Sequence, residues 1–412
     1  MDAVNKTYKR LLVRSVAQEV NIGDIAQGPG ILALIEKYIP EAEVKLLASG
    51  ATPEIQHMIK KRFPNIEIIR GRFINDGNDI EADDKQKVID VCKWADYYVQ
   101  GSGPWADVED IKGFVRISGG KRYGIFGVSY PETPDTKEVL SNADFVYFRD
   151  CPSLERAIKD GVNCPLMQFG ADSAFAFDIK NDKKANLFMT ENKLEAGKFV
   201  CIIPRYRYTP YWEIRDTDFI EARDKVNQKH KEQDNAPLRE AALRIVDETD
   251  MKVVVCPEDA TQMKLGQEII IDKLPKGYES KFILHKDFWL PDEALGLYSK
   301  SAGVFCNEMH SPIISIGNGI PATVGRWAEQ TTKGIMWKNI GLSDWLFNID
   351  EEADRNRVVN KLLEIIKNPS DSSKKVSDAQ KTVQGCHEDM TKTLKYFLTG
   401  EGKIFKEHTS VR

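Results

Sequence analysis

The sequence has no long apolar run. Every hydrophobic stretch is shorter than the ~18 residues that a membrane-spanning helix requires, and the first ten residues are too polar to resemble a secretory signal. We therefore expect a cytoplasmic protein without a transmembrane segment.

The sequence also lacks an excess of basic residues and a metal-ligand pattern. The 412 residues carry a formal net charge of −5, which gives no positive field for a nucleic acid. The seven cysteines form no C-x-x-C pair and no Cys/His arrangement at zinc spacing, so we expect most of them to be buried thiols in a reducing compartment. The sequence thus predicts no nucleic-acid partner, no metal site and no cofactor.

What the sequence does contain is an alternation of short apolar runs and amphipathic segments. Strands followed by helices in this order are typical of a doubly wound parallel sheet. The candidate strands are Leu11–Val16, Glu43–Ala48, Ile66–Ile69, Tyr97–Gln100, Tyr123–Val128 and Phe145–Phe148, and the candidate helices are Gly30–Tyr38, Pro53–Lys61 and Asp83–Trp94.

The length and composition of the chain predict two domains. Charged and small residues predominate in 179–198, which predicts a linker between a lobe at 1–178 and a second lobe at 199–350, followed by C-terminal helices at 351–412. The second lobe opens with the apolar run Phe199–Ile203, which is typical of a buried parallel strand. We therefore predict an α/β protein with two doubly wound, Rossmann-like lobes that face a cleft.

Three polar turns follow predicted strands of the first lobe, at the strand ends where ligands usually bind in such sheets. The first is either a ligand loop or a glycine turn closed by an asparagine cap. The second has two glycines whose N–H groups would approach an anion closely, although it completes no G-x-G-x-x-G motif. The third precedes a predicted helix, with Asp150 as its cap and Arg149 as either an ion-pair partner at the domain interface or an anion ligand. The site candidates in the first two turns are Asn21, Gly23, Asp24, Gly101, Ser102 and Gly103.

In the second lobe, a polar turn follows a predicted strand at 302–306. His310 lies in this turn, before a helix that Ser311 and Pro312 begin and that glycines at 317–319 end. Because a histidine at a strand-to-helix junction can reach a ligand, His310 is the leading candidate for an acid–base group. The alternative is a capping or core histidine.

Two arginines follow the strand Phe199–Ile203. Arg205 and Arg207 stand among four aromatic residues, a combination that suits an anion together with a sugar ring. A surface loop packed by its own aromatic side chains is the alternative. The polar stretch Glu213–Asn235 predicts an insertion made of a loop and a helix ahead of a helix at Leu238–Glu248, and whether it binds an acceptor stays open.

Taken in order, these turns resemble motifs of the polysaccharide pyruvyl transferase family over about residues 11 to 349. The segment Asn21-Ile22-Gly23-Asp24 is similar to the family's NxGD loop, and Arg149-Asp150-Cys151-Pro152-Ser153 is similar to its RDxxS turn. In the second lobe, Gly319-Ile320-Pro321 matches the family's GxP, and Lys333 its lysine turn. Glu308-Met309-His310 stands where the family has RxH, so a glutamate replaces the arginine.

The resemblance implies a fold and an activity. The fold resembles the two-lobed GT-B arrangement of glycosyltransferases. The activity is transfer of pyruvyl from phosphoenolpyruvate to two hydroxyls of a sugar, as a ketal, in surface-polysaccharide biosynthesis. The acceptor is then a sugar, a polysaccharide or a lipid-linked saccharide. His310 is the acid or base of this reaction, while Arg205, Arg207 and Lys333 bind the carboxylate and phosphate of the donor.

Glu308 departs from the family pattern, because it stands at the position of the arginine in the RxH motif. Its carboxylate would repel an anionic donor unless Arg205 or Arg207 compensates for it, and it would alternatively orient His310 as a second catalytic residue. Two other functions therefore stay open. One is a glycosyltransferase that uses a nucleotide-sugar donor, and the other is a non-catalytic family member that binds a saccharide.

Overall fold

The chain is an α/β protein in which parallel strands alternate with helices, as the sequence predicts. The computed structural model describes residues 9–131, 133–330 and 332–400. The first residues of the predicted amino-terminal lobe, 1–8, and the last residues of the predicted C-terminal region, 401–412, lie outside the described residues.

The described chain divides into two units that are not contiguous in sequence. Lobe 1 contains residues up to 19, residues 24–177 and residues from 384 onward. Lobe 2 contains residues 20–23 and 178–383. Each lobe has its own parallel sheet.

Lobe 1 has a seven-stranded parallel sheet and a separate two-stranded hairpin. Its strands are β1 (Lys9–Arg14), β2 (Ala42–Leu47), β3 (Glu67–Ile69), the hairpin strands β4 (Gly71–Ile74) and β5 (Asp79–Ala82), β6 (Tyr97–Gln100), β7 (Tyr123–Val128), β8 (Val146–Phe148) and β9 (Met167–Phe169). Its helices are α1 (Ile22–Tyr38, whose first two residues belong to lobe 2), α2 (Pro53–Arg62), α3 (Lys85–Trp94), α4 (Val108–Ser118), α5 (Pro134–Ser141) and α6 (Cys151–Lys159). The strand order β3-β2-β1-β6-β7-β8-β9 reverses direction between β1 and β6.

Lobe 2 has a six-stranded parallel sheet. Its elements are α7 (Asp182–Glu191), β10 (Phe199–Ile203), α8 (Glu221–Glu248), β11 (Lys252–Val255), α9 (Gln262–Ile269), β12 (Phe282–Leu284), α10 (Pro291–Tyr298), β13 (Val304–Cys306), α11 (His310–Gly317), β14 (Ala322–Arg326), α12 (Met336–Asn339), β15 (Leu346–Asn348) and α13 (Glu352–Lys367). The order β12-β11-β10-β13-β14-β15 reverses between β10 and β13. Ligands in open α/β sheets bind at the carboxyl ends of the strands beside such a reversal.

The apolar runs form the strands that the sequence predicts. All five residues of β10 are buried, as a continuous apolar run predicts for a central parallel strand. The six candidate strands of lobe 1 are confirmed with ends shifted by at most two residues, which is within the uncertainty of any strand boundary.

Helix α1 begins earlier than the sequence indicates. We predict a helix from Gly30, but the structure starts it at Ile22, with Pro29 inside it. Packing explains why a glycine stands at position 30 inside the helix, because a Cβ at Gly30 would lie 2.0 Å from the carbonyl oxygen of Ser173. Tertiary packing here overrides the low helix propensity of glycine and proline.

The predicted insertion Glu213–Asn235 is mostly helix. Helix α8 runs without interruption over 28 residues, so the predicted helix Leu238–Glu248 is only its last part. Asn227 and Asn235 on α8 are buried and bind the backbone of Tyr208 and Arg205. These two polar residues therefore hold the arginine loop after β10.

The stretch predicted as a linker and the predicted C-terminal region also contain helices, and these helices belong to the lobes. Helix α7 lies within the stretch predicted as a linker, at 179–198. The last described helix, α14 (Pro369–Thr399), begins in lobe 2 and ends in lobe 1.

Two further observations concern membranes and thiols. Among the described residues, no helix has the length and apolar character needed for a membrane span. The seven cysteines are all free thiols, and four of them are buried: Cys92, Cys201, Cys256 and Cys306.

Candidate functional site

The carboxyl ends of four neighbouring strands carry the polar residues of lobe 2. Arg205 follows β10, Glu258 follows β11, and Glu308 and His310 follow β13. Lys333 lies in a short 3-10 helix after β14. Because β10 pairs with both β11 and β13 in parallel, these turns meet at one edge of the sheet. We call these five residues the lobe 2 site.

His310 is the first residue of α11 and its side chain is held by Glu258. The imidazole Nδ1 lies 3.2 Å from Oε1 of Glu258, and the backbone N–H of His310 donates to the same oxygen at 3.1 Å. The backbone N–H of Ser311 donates to Oε2 at 2.6 Å. One carboxylate thus fixes both the ring and the start of the helix.

Glu258 is fully buried and remains ionised. Burial by itself would raise the pKa of its carboxyl group, but the hydrogen bond and the electrostatic attraction of His310 and Lys333 outweigh burial and lower that pKa to about 2. A carboxylate that accepts several N–H bonds is stabilised in its charged form. The imidazole of His310 therefore lies beside a permanent negative charge at neutral pH.

Gly23 provides the space for the imidazole. Residues 20–23 belong to lobe 2, where the backbone N–H of Ile22 donates to the carbonyl oxygen of Glu258 at 3.0 Å. A Cβ at Gly23 would lie 1.8 Å from Cγ of His310 and 2.2 Å from its Cβ. Asn21 caps this turn, since its Oδ1 accepts from the N–H of Gly23 at 2.8 Å. The Asn-capped turn is therefore present and also packs against His310.

Glu308 pairs with Arg205. The guanidinium donates to Oε2 of Glu308 at 2.7 Å, and Gln262 donates to Oε1 at 2.7 Å. Burial raises the pKa of the Glu308 carboxyl to about 8, reinforced by the negative charges of Glu258 and Asp259 and opposed by Arg205 and Lys333. The two glutamates of the site therefore have strongly different pKa values.

Arg205 and Lys333 supply the positive charge of the site. The side chain of Arg205 is 18% exposed, whereas that of Glu308 is 2% exposed. The Nζ of Lys333 lies 3.4 Å from both ring nitrogens of His310. Lys333 thus lies beside the imidazole of His310, and Arg205 lies beside Glu308. Fixed cations of this kind suit the binding of a small anion.

Arg207 has a different environment. Its side chain is buried and pairs with three carboxylates, those of Asp234, Glu329 and Asp350, at 2.7 to 3.0 Å. Its bidentate bond to Asp234 joins the loop after β10 to helix α8. This pairing favours a structural role for Arg207 over the predicted role as an anion ligand.

The candidate turns of lobe 1 also make internal bonds. The N–H of Gly101 donates to the carbonyl of Arg14 at 2.8 Å, and that of Gly103 to the carbonyl of Gly127 at 3.3 Å. Ser102 is buried and accepts from the N–H of Ser173 at 2.8 Å. Since the two glycine N–H groups already have acceptors in the neighbouring strands, the geometry does not favour an anion cradle. Asp24 accepts from Gln18.

Arg149 and Asp150 are buried in lobe 1. Asp150 caps α6 by accepting from the N–H of Ser153 at 2.8 Å, which confirms the predicted cap. Arg149 donates to Asp172 at 3.2 Å and to the hydroxyl of Ser129 at 3.0 Å. With 1% exposure, Arg149 fits an ion-pair partner within its own lobe better than an anion ligand.

Comparison with known proteins decides the family. The family model described as "Polysaccharide pyruvyl transferase" matches residues 21–324, about three quarters of the 412 residues. The chain belongs to the polysaccharide pyruvyl transferase family. Among curated protein sequences, none matches it.

Several solved structures have the same fold as this pyruvyl transferase family member. A glycosyltransferase from Rickettsia africae is 11% identical with a TM-score of 0.58, over 96% of this chain and 100% of that one. The UDP-GlcNAc 2-epimerase from Neisseria meningitidis bound to UDP-GlcNAc is 9% identical with a TM-score of 0.55, over 94% and 99%. An Anabaena protein in complex with UDP and glucose is 11% identical with a TM-score of 0.55, over 94% and 100%. At these identities the similarity shows the fold alone.

The structure revises one interpretation of the family's RxH position. Glu308, which replaces the arginine, pairs with Arg205, and the carboxylate that holds His310 is Glu258 instead. Glu258 and Gln262 are the site residues that the sequence analysis missed. Their only local signal is a polar turn after the apolar strand β11, which does not reveal a partner 52 residues away in the sequence.

The described residues do not form a metal-binding cluster. Within 9–131, 133–330 and 332–400, no group of three or more His, Cys, Asp or Glu side chains is arranged to hold a metal ion.

Proposed function

We propose that this protein transfers the pyruvyl group of phosphoenolpyruvate to two hydroxyls of a saccharide, forming a ketal in surface-polysaccharide biosynthesis. The observation that carries the proposal is the lobe 2 site, in which a buried Glu258–His310 pair lies beside Arg205 and Lys333. Membership of the family supports the reaction class, because the matched segment contains Arg205, Glu258, Glu308 and His310.

The reaction requires one proton to be added to the donor and two protons to be removed from the sugar hydroxyls. A proton adds to the methylene carbon of phosphoenolpyruvate, and the cation formed at C2 is captured by a sugar hydroxyl, which loses its own proton. Phosphate then leaves from C2 and a second hydroxyl takes its place, with its proton leaving on the phosphate. In this proposal His310 gives the first proton and recovers the one that the first hydroxyl releases.

The cations of the site suit the donor's charges. Phosphoenolpyruvate carries a carboxylate and a phosphate, and Arg205 suits the planar carboxylate because its guanidinium is a rigid fork. Lys333 suits the phosphate as a point charge. Ionised Glu308 would offset part of the charge of Arg205 and disfavour an anionic donor, whereas protonated Glu308 would leave that charge available to the donor. The raised pKa of Glu308 supports that state near neutral pH.

The experiment is a coupled measurement on the purified protein. Phosphoenolpyruvate is supplied with free sugars, oligosaccharides or lipid-linked saccharides, and the products are inorganic phosphate and a ketal with a new methyl signal in the proton NMR spectrum. We expect both products in equal amounts. Phosphate without the ketal would show hydrolysis, and would contradict the proposal.

Thermal melting tests the donor without an acceptor. A ligand at 100 times its Kd stabilises a protein by about 2.7 kcal/mol, so phosphoenolpyruvate should raise the melting temperature. UDP serves as the comparison, since the Anabaena structure contains it. Stabilisation by UDP but not by phosphoenolpyruvate would indicate a nucleotide-sugar transferase. Stabilisation by a saccharide alone would indicate a non-catalytic binding protein.

A further inference from the structure

Glu258 contacts both the backbone and the ring of His310, although 52 positions separate the two residues in the sequence. Its carboxylate is 0% exposed, accepts from the backbone N–H groups of His310 and Ser311, and lies 3.2 Å from Nδ1 of the His310 ring. An ion that is buried this completely is unfavourable unless several donors satisfy it. The three contacts satisfy the charge, and they fix the ring and the backbone of His310 to one anchor.

Glu258 is itself held in place. Its backbone N–H donates to Oε1 of Gln262 at 2.6 Å, and its carbonyl oxygen accepts from the N–H of Ile22. Gly23, next to Ile22, packs against the imidazole. The ring of His310 therefore has two contacts. Its Nδ1 lies beside the carboxylate of Glu258, and its carbon atoms pack against the backbone of Gly23, which the hydrogen bond between Ile22 and Glu258 holds in place.

The bond at Nδ1 has a consequence for the tautomer. In a neutral imidazole only one ring nitrogen carries a proton, and a carboxylate next to Nδ1 places that proton on Nδ1. Nε2 is then the nitrogen with the lone pair, and the proton exchange of the reaction takes place there. In metal sites, replacing a carboxylate that orients a histidine typically costs 10- to 100-fold in metal affinity or activity, and we expect a loss of the same order for His310.

We propose that Glu258 is the positioning residue of the acid–base centre, and that it keeps the neutral His310 ring in the Nδ1–H form with Nε2 as the proton-exchanging atom. The catalytic part of this inference rests on the proposed pyruvyl transfer. The tautomer part does not, because it concerns the protein without its substrates. A role limited to capping α11 would leave the tautomer unconstrained.

The first experiment measures the tautomer directly. The protein is labelled with ¹⁵N-histidine, and the ring signals of His310 are assigned as those lost in His310→Asn. We expect the neutral ring to show a protonated Nδ1 and an unprotonated Nε2. In Glu258→Gln we expect an averaged mixture of both forms. A wild-type ring protonated on Nε2 would overturn the proposal, whatever activity the protein has.

His285 is the internal control in the same spectra. Its Nδ1 lies 2.8 Å from the carbonyl oxygen of Asp287, and it belongs to lobe 2 as well. Its signals should be the same in the wild type and in Glu258→Gln. Changes of both histidines together would show that the substitution unfolds the lobe. In that case the wild-type spectrum and Glu258→Asp, which keeps the charge and shortens the reach, decide the question.

The second experiment measures kinetics. We expect Glu258→Gln to lower kcat by about 10- to 100-fold with the KM for phosphoenolpyruvate changed less than about twofold, because Glu258 acts through His310. The double variant with His310→Asn should be no slower than His310→Asn alone. Additive losses would contradict positioning through His310. If the tautomer is as expected but no pyruvyl transfer is found, the proposed function fails and the positioning role stands.

Discussion

The Cα of Gly23 lies against the imidazole of His310, although 287 positions separate the two residues in the sequence. A methyl group at Gly23 would overlap both Cβ and Cγ of the histidine, so the whole side chain has to move. A displacement of about 1 Å at a catalytic group costs on the order of 10²-fold in rate. We predict that Gly23→Ala lowers kcat for ketal formation by about that factor.

Gly385→Ala is the matched control for this prediction. A Cβ at Gly385, inside α14, meets no heavy atom within 4 Å. Replacing a helical glycine by alanine stabilises a protein by about 0.5–1 kcal/mol. Gly385→Ala should therefore raise the melting temperature slightly and leave kcat as it is. Equal kcat in Gly23→Ala and the wild type would contradict the role given to Gly23.

His310→Asn tests the acid–base group. Asparagine keeps a polar side chain at this position but does not exchange protons near neutral pH. Acid–base assistance typically contributes about 10²–10⁴-fold, so we expect kcat to fall by that factor while phosphoenolpyruvate still raises the melting temperature. Ketal formation at the wild-type rate would end the assignment of His310.

Lys333→Ala tests the phosphate contact. Because Lys333 lies 3.4 Å from the ring nitrogens of His310, its charge is near the atoms where the donor would react. We expect a rise in the KM for phosphoenolpyruvate of at least about tenfold, since a charge-assisted hydrogen bond contributes about 1.5–3 kcal/mol. Lys338→Ala, an exposed lysine on α12, has the same change of net charge and should leave KM unchanged. Similar KM values in the two variants would remove Lys333 from the donor site.

The raised pKa of Glu308 predicts that the stability of the protein depends on pH. Burial raises the pKa of its carboxyl to about 8 in the folded protein, whereas an unfolded glutamate titrates near ~4.3. Between these values the folded state binds more protons than the unfolded state, so the contribution of Glu308 to stability falls as the pH rises. Relative to the wild type, Glu308→Gln should therefore be more stable at pH 9 than at pH 5. Urea unfolding at both pH values measures this, and a constant difference would contradict it.

Because Arg207 pairs with three carboxylates, we expect its replacement to lower the stability of the protein and to leave the binding of phosphoenolpyruvate unchanged. Removing its guanidinium by Arg207→Met leaves Asp234 buried without its cation, and breaking a buried ion pair on one side typically costs about 3–5 kcal/mol. Lys225→Ala, which breaks an exposed pair with Glu221 on the same helix as Asp234, should cost less than about 1 kcal/mol. Urea unfolding compares the two. Arg207→Met with normal stability and a raised KM for phosphoenolpyruvate would instead make Arg207 a donor ligand.

The sequence predicted those parts of the fold that depend on local pattern. β10 is a continuous apolar run, and the candidate strands of lobe 1 are short, mostly apolar runs. Such runs are sufficient to locate buried parallel strands. The start of α1 was predicted wrongly at Gly30, because the helix begins at Ile22 and includes Pro29, a residue with low helix propensity. Helix α8 was predicted only in part, since its polar residues bind a loop that lies earlier in the chain.

The site was predicted to a similar extent. A strand end followed by a helix indicated His310, and the resemblance to the family indicated Gly23, but neither showed that the two residues touch. The pairing of Arg207 with three carboxylates was not predictable, because these lie 27, 122 and 143 positions away. Glu258 had no signal beyond its place after a strand. Which residues form a buried ion pair depends on how the strands are arranged in the fold. The composition of the sequence and the spacing of its residues do not show this arrangement.

The division of the chain has a consequence for the order in which the protein folds. Residues 384–399 of α14 complete lobe 1, where Met390 and Leu394 are fully buried and Thr393 bonds to the hydroxyl of Tyr147 at 2.8 Å. On the ribosome, the strands of lobe 1 emerge before lobe 2. The residues of α14 that complete the core of lobe 1 are synthesised only after all of lobe 2. Domains usually fold as they are synthesised, amino-terminal first. Here lobe 1 stays incomplete until all of lobe 2 has been translated, so a fragment that lacks the residues after 177 would expose apolar surface and aggregate.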